Sequence, residues 1–117
     1  MFEFEIPTTV DAVINLELET AGKVKKGTIT IDYHYRETAY VDALIERVRN
    51  GTASDSEIVD NEIAAVRGLA AKGVEHPPEV QLDMVRKHLP LRQAAIEGWA
   101  PALKMAAAKN SKALPRR

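Results

Sequence analysis

Few side chains in this sequence could do chemistry, and they are scattered. His34, His76 and His88 are its imidazoles, and none forms the H-x-x-H or H-E-x-x-H spacing that aims two ring nitrogens at one metal from a single helix face. They read as solvated or hydrogen-bonded histidines. Ser54, Ser56 and Ser111 lack a G-x-S-x-G elbow, and Ser54 has a structural use as a helix cap with Glu57 in an S-x-x-E box. The six glycines do not fall at the spacings of a P-loop or a dinucleotide fingerprint, and each sits near a turn, a helix end or a tight packing position. Asp55, Glu57, Asp60 and Glu62 could serve as an acid-base or cation-binding cluster, but in the first turns of a helix the peptide dipole already favours carboxylates. With no cysteine there is no disulfide, thiolate nucleophile or Cys-ligated zinc. These residues predict neither a catalytic group, nor a metal, nor a cofactor.

The elements around them change period partway along the chain. Ala12, Ile14, Leu16 and Leu18 alternate with polar residues, and after a stretch with two glycines and three lysines, Ile29, Ile31, Tyr33 and Tyr35 do the same. That pattern predicts an antiparallel β-hairpin over about 10-35, joined by a mobile polar loop across Thr20 to Gly27. Phe2, Phe4 and Ile6 repeat the two-residue spacing ahead of Pro7, and either prolong the first strand or form a short one of their own. Helical spacing follows, with helices expected at about 37-50, 54-71, 78-89 and 91-105. Gly51 suits the end of the first, Gly68 weakens the last turn of the second, Pro90 stops the third, and Pro101 must kink or end the fourth. Leu91, Ala95, Trp99 and Leu103 share one side of the last helix, and 106-117 reads as a frayed end and flexible basic tail. The fold class is α+β: an N-terminal antiparallel hairpin, or three short strands, with three or four α-helices packed on it in one domain over 1-105.

At 117 residues the chain suits a single core, and 45% apolar against 28% charged residues matches a globular domain. Sixteen basic and seventeen acidic residues give a net charge of -1, which provides no global attraction to nucleic acid or anionic lipid. Apolar runs are only a few residues long and the acidic start is unlike an export signal, so neither a membrane span nor secretion is expected. Acids dominate the first stretch and Lys104, Lys109, Lys112, Arg116 and Arg117 close the chain. A hairpin cannot bury both of its edges, which leaves one for self-assembly or for capture of a peptide, with the lysine-rich loop guarding against random pairing.

The order of parts resembles that of tail assembly chaperones from long-tailed, siphovirus-like bacteriophages. The resemblance rests on the opening Phe2, Phe4, Ile6, Pro7, Thr9, Val10, on a strand pair closing in Ile29-Thr30-Ile31-Asp32-Tyr33-His34-Tyr35-Arg36, and on helical pieces ending in Ala94-Ala95-Ile96-Glu97-Gly98-Trp99. It spans nearly all of the chain up to about Leu103. One departure is Ile63 to Gly68, which reads as helix where members of the family carry an extended stretch with an aromatic. The resemblance implies a non-enzymatic protein of the host cell cytoplasm, absent from the mature virion. Its partners would be the tape measure protein, which it keeps soluble during tail morphogenesis, the major tail tube protein, and further copies of itself as a homo-oligomer.

A holdase needs adaptable apolar contacts rather than a reactive group. Val80, Met84, Val85, Ile96 and Trp99 in the helical half are the expected contact or oligomer residues, with ordinary core packing as the competing reading of each. A different class of function is a small helix-turn-helix regulator that reads nucleic acid through Lys87, His88 and Arg92 around Pro90. Against it stand the net charge and the lack of the usual glycine in the turn. An enzyme would need a pocket with converging titratable groups, which no spacing predicts.

Overall fold

The computed structural model describes the backbone of residues 1-112 and the side chains of 1-106. Strands β1 (Thr9–Thr20) and β2 (Lys23–His34) form the predicted hairpin, paired in continuous register from Thr9 with His34 to Thr20 with Lys23. The expected mobile loop is instead strand. Only Ala21 and Gly22 turn the chain, at φ 54° and 76°, the left-handed pair that a two-residue turn between right-twisted strands requires. The first half of β2, including Lys23, Lys25 and Lys26, is exposed. Residues 1-7 carry no regular secondary structure, so neither expected strand form is present there.

Helix α1 (Thr38–Arg49) follows as predicted and ends at Gly51, whose φ of 83° gives the left-handed cap. The second predicted helix is corrected: only α2 (Ser56–Asn61) is helical, and the chain then becomes β3 (Ile63–Arg67), β4 (Ala70–Ala71) and β5 (Val74–Glu75). Strand β3 pairs antiparallel with β2, giving the sheet order β1-β2-β3, while β4 and β5 form a separate small hairpin turned by Lys72 and Gly73 at φ 52° and 79°. The register of β2 against β3 slips by one residue, because Asp32 pairs with Ala65 and Tyr33 with Ile63. Ala64 is the bulged residue. The bulge lets Ile63 and Val66, three apart, both face the core, which is how a strand came to show helical spacing. Gly68 leaves the sheet at φ 104°, a backbone conformation strained for any residue with a β-carbon, which would also stand 3.4 Å from the Ile29 backbone. Nor does Ser54 close a capping box; its hydroxyl accepts from the Ser56 amide at 3.2 Å, and α2 has no side-chain cap.

Helix α3 (Pro78–Lys87) and helix α4 (Leu89–Lys112) are separated by His88 alone, in extended conformation. The break thus comes before Pro90, which sits in the first turn of α4, where its missing amide hydrogen costs nothing. Pro101 does not end α4, which runs through Lys112; the expected tail therefore begins as helix, and 113-117 lies outside the described residues. Leu91, Ala95, Trp99 and Leu103 are all buried, the predicted stripe. They pack on Ile29, Ile31 and Tyr33 from the inner face of the sheet, with Val41, Leu44, Val59 and Val85 completing the core. The fold is α+β, an N-terminal antiparallel sheet with four helices.

Candidate functional site

The five residues predicted to meet a partner divide by burial. Val85 and Trp99 are 0% and 1% exposed, so in this fold they are core, which corrects their assignment as contact residues. Trp99 even leaves its Nε1 hydrogen without an acceptor among the described residues, a cost accepted only for the packing of the ring. Val80 is exposed, and Met84, one turn on, and Ile96 are half-buried against the core. Val80 and Met84 share one face of α3 by i, i+4 spacing. Leu89, 67% exposed, lies about two turns before Ile96, and the two line one surface hollow with Arg92 and Gln93. The buried positions of α3 are Gln81 and Val85.

A second apolar surface lies where α4 crosses β1. Gly98 makes the crossing possible, since a β-carbon there would stand 2.6 Å from Ile14 Cδ1 and 3.0 Å from the Tyr33 hydroxyl. That hydroxyl donates to the Ala95 carbonyl at 2.6 Å and locks the helix to the sheet. Beside the contact runs a groove of about 490 Å³ floored by Val10, Ala12 and Ile14 of β1 and walled by Pro101, Ala102 and Met105 of α4. The Tyr35 amide donates to the Thr8 carbonyl at 3.0 Å, which fixes the hydrogen-bonding phase of the hairpin. Even-numbered residues of β1 therefore turn their N–H and C=O toward β2, and Thr9, Asp11, Val13 and Asn15 turn theirs to the outer edge. Among the described residues no strand pairs with that edge.

Polar side chains serve structure. Glu62, 1% exposed, accepts from Arg36 Nε at 2.8 Å and from the Tyr40 hydroxyl at 2.7 Å, and the Arg36 guanidinium lies 4.8 Å from the centre of the Tyr40 ring. The bond to the Glu62 carboxylate holds the Tyr40 phenol above its ordinary value. Burial does the same, more strongly, to Tyr33. Of the four carboxylates at 55-62, Glu62 is thus taken up inside the fold and Glu57 lies 3.6 Å from Arg47. On the outer face Arg67 lies 2.7 Å from Asp32 and 3.5 Å from Asp11, and the shared hydrogen bond with Asp32 raises the Asp11 carboxyl. Gln81 is a satisfied buried amide: its oxygen accepts from the Leu69 amide at 2.8 Å, and its nitrogen donates to Glu75 at 3.0 Å and to the His76 carbonyl at 2.7 Å. Among the described residues no three His, Asp or Glu side chains are grouped to hold a metal, and no helix is long and apolar enough to cross a membrane.

The residues of the nucleic-acid reading are engaged elsewhere. Lys87 is 3.0 Å from Asp83, and Arg92 donates to the Arg86 carbonyl at 3.0 Å. One residue between α3 and α4 is also shorter than the three or four of a helix-turn-helix.

Sequence reasoning did not single out Leu89 or the exposed Val13 as surface contacts, and it placed Phe2 and Phe4 in a strand. The available signal was that both phenylalanines of the chain fall outside the residues needed to fill one core. No family model matches this chain, and comparison with curated proteins and with solved structures finds no match.

Proposed function

We propose that this protein is a non-enzymatic tail assembly chaperone of a long-tailed bacteriophage, which binds the tape measure protein in the host cell cytoplasm and keeps it soluble until tube subunits enclose it. One observation carries the reading: large apolar side chains stay at the surface of a chain whose core is already filled. Val80 and Leu89 are 39% and 67% exposed on the helical side, flanked by half-buried Met84 and Ile96. A methionine among aliphatic contacts of this sort suits an amphipathic helix laid along them, and a long helical partner offers such a face repeatedly. The extended β3 ahead of the last two helices also stands where the family resemblance implies an extended stretch.

The test is co-expression with the tape measure protein. The partner should be recovered in the soluble fraction only when this chain is present. The double variant V80D/L89D, at exposed positions, should keep the fold and lose the effect. Equal solubility of the partner with and without this chain would end the chaperone reading.

A further inference from the structure

The geometry points to a strand-exchanged dimer in which residues 1-6 of one copy complete the sheet of another, lying along the free edge of β1 with Phe2, Phe4 and Ile6 in the groove between β1 and α4. Phe2, Phe4 and Ile6 are 67%, 55% and 73% exposed, and their alternation with Glu3 and Glu5 gives this stretch one apolar and one acidic face. That is the pattern of a strand with half its surface buried. An edge with unpaired backbone groups and an apolar trough of about 490 Å³ beneath it stands ready on β1.

The segment cannot reach the edge of its own β1. Thr8 is already extended alongside β2 through its bond with Tyr35, so a reversal must lie before it. A two-residue turn at Ile6 and Pro7 needs a positive φ at Ile6, which its β-branch forbids, and proline's fixed φ excludes the other hairpin form. A longer loop consumes Phe4 and takes it out of the alternation it shares with Phe2. A second copy removes the obstacle, because the chain then simply runs straight on from β1.

Two copies related by a two-fold axis at Thr8 pair antiparallel with Phe2 opposite Ile14, Phe4 opposite Ala12 and Ile6 opposite Val10. All three apolar residues then meet the floor of the groove on one face of the sheet. In the same register Glu3 faces Val13 and Glu5 faces Asp11, and those are the β1 residues whose backbone groups point outward. Pro7 falls opposite Thr9 beside the two-fold axis, where its carbonyl accepts from the Thr9 amide but no donor is returned, so one ladder bond is missing on each side of the axis. The exchange is reciprocal, so both arms and both grooves are covered. At 67% and 55% exposure each phenylalanine has only part of its roughly 150–250 Å² left to bury, so the pair falls in the small, micromolar class of interface, under roughly 1,200 Å². Glu5 beside Asp11 is a like-charge contact, partly offset by Arg67 at 3.5 Å from Asp11, so salt should tighten the dimer.

The dimer stands independently of the tape measure reading and is tested on the purified chain. Sedimentation should show a dimer at micromolar concentration that strengthens with added salt, and F2S/F4S should weaken it by roughly a hundredfold or more while leaving Trp99 fluorescence unchanged. Because the chain has no cysteine, single variants report contacts cleanly. Mixed under oxidation, F4C and A12C should form a disulfide-linked heterodimer, since their β-carbons are roughly 4.5–5.5 Å apart in this pairing, and F4C with E19C should not. A wild-type monomer, a dimer indifferent to F2S/F4S, or a bond formed within one F4C/A12C chain at high dilution would each overturn the proposal.

Discussion

Arg36→Met is the most informative perturbation of the fold. The Glu62 carboxylate is 1% exposed and has two partners, Arg36 Nε at 2.8 Å and the Tyr40 hydroxyl at 2.7 Å. Methionine keeps most of the aliphatic stem of Arg36 and removes the only cation in contact with Glu62 among the described residues, leaving a buried charge held by one phenol. Breaking a buried pair in this way costs roughly 3–5 kcal/mol. Because the Arg36 side chain is 33% exposed and water can reach it, the low end is expected, about 3 kcal/mol. In a chain of this size that lowers the melting temperature by roughly 10–15 °C. The double variant R36M/E62L should recover part of the loss, since no uncompensated charge then remains and an apolar pair occupies the site. Denaturant titration followed by fluorescence reads both, and the protein supplies its own probe, a single tryptophan buried at 1% in the core beneath. A loss below about 0.5 kcal/mol for Arg36→Met, the range of a surface ion pair, would refute the reasoning that Glu62 needs its cation.

Trp99→Ala should destabilise by roughly 3–5 kcal/mol, whereas Trp99→Phe removes the unpartnered Nε1 hydrogen and should cost clearly less; calorimetric melting distinguishes them. Gln81→Leu strands the Leu69 amide and frees Glu75, so amide exchange in β4 and β5 should accelerate selectively, with a global loss of roughly 1–3 kcal/mol. Replacing Gly98 with leucine should force α4 off β1, because even a β-carbon meets Ile14 and Tyr33, and loss of a cooperative transition is the expected readout. Tyr33 and Tyr40 hold their protons in the folded state above the value of about 10 that governs them when unfolded. Their contribution to stability is therefore complete below that pH and falls away as pH rises beyond it, and Y33F should flatten the alkaline slope of the denaturation midpoint.

The sequence by itself determined the parts whose period is local. Alternation in β1 and β2, the stripe of Leu91, Ala95, Trp99 and Leu103, and the glycine ending α1 each state their geometry within a few residues, so the α+β class and the burial of the α4 stripe were legible. Two-residue turns at Ala21-Gly22 and Lys72-Gly73 were harder to see, because their first positions hold alanine and lysine in a left-handed conformation usually reserved for asparagine or glycine. Only the tertiary structure decided the middle of the chain. Ile63 and Val66 sit three apart, which is helical spacing in isolation, but the open edge of β2 takes them as a strand and a bulge at Ala64 turns both inward. The same holds for the candidate contacts: apolar type alone does not distinguish Val85 and Trp99 in the core from Val80 and Leu89 at the surface. That choice depends on which face each helix offers to the sheet, and it is settled by contacts between residues far apart in sequence, such as Tyr33 with Ala95 and Ile14 with Gly98, that no local pattern encodes.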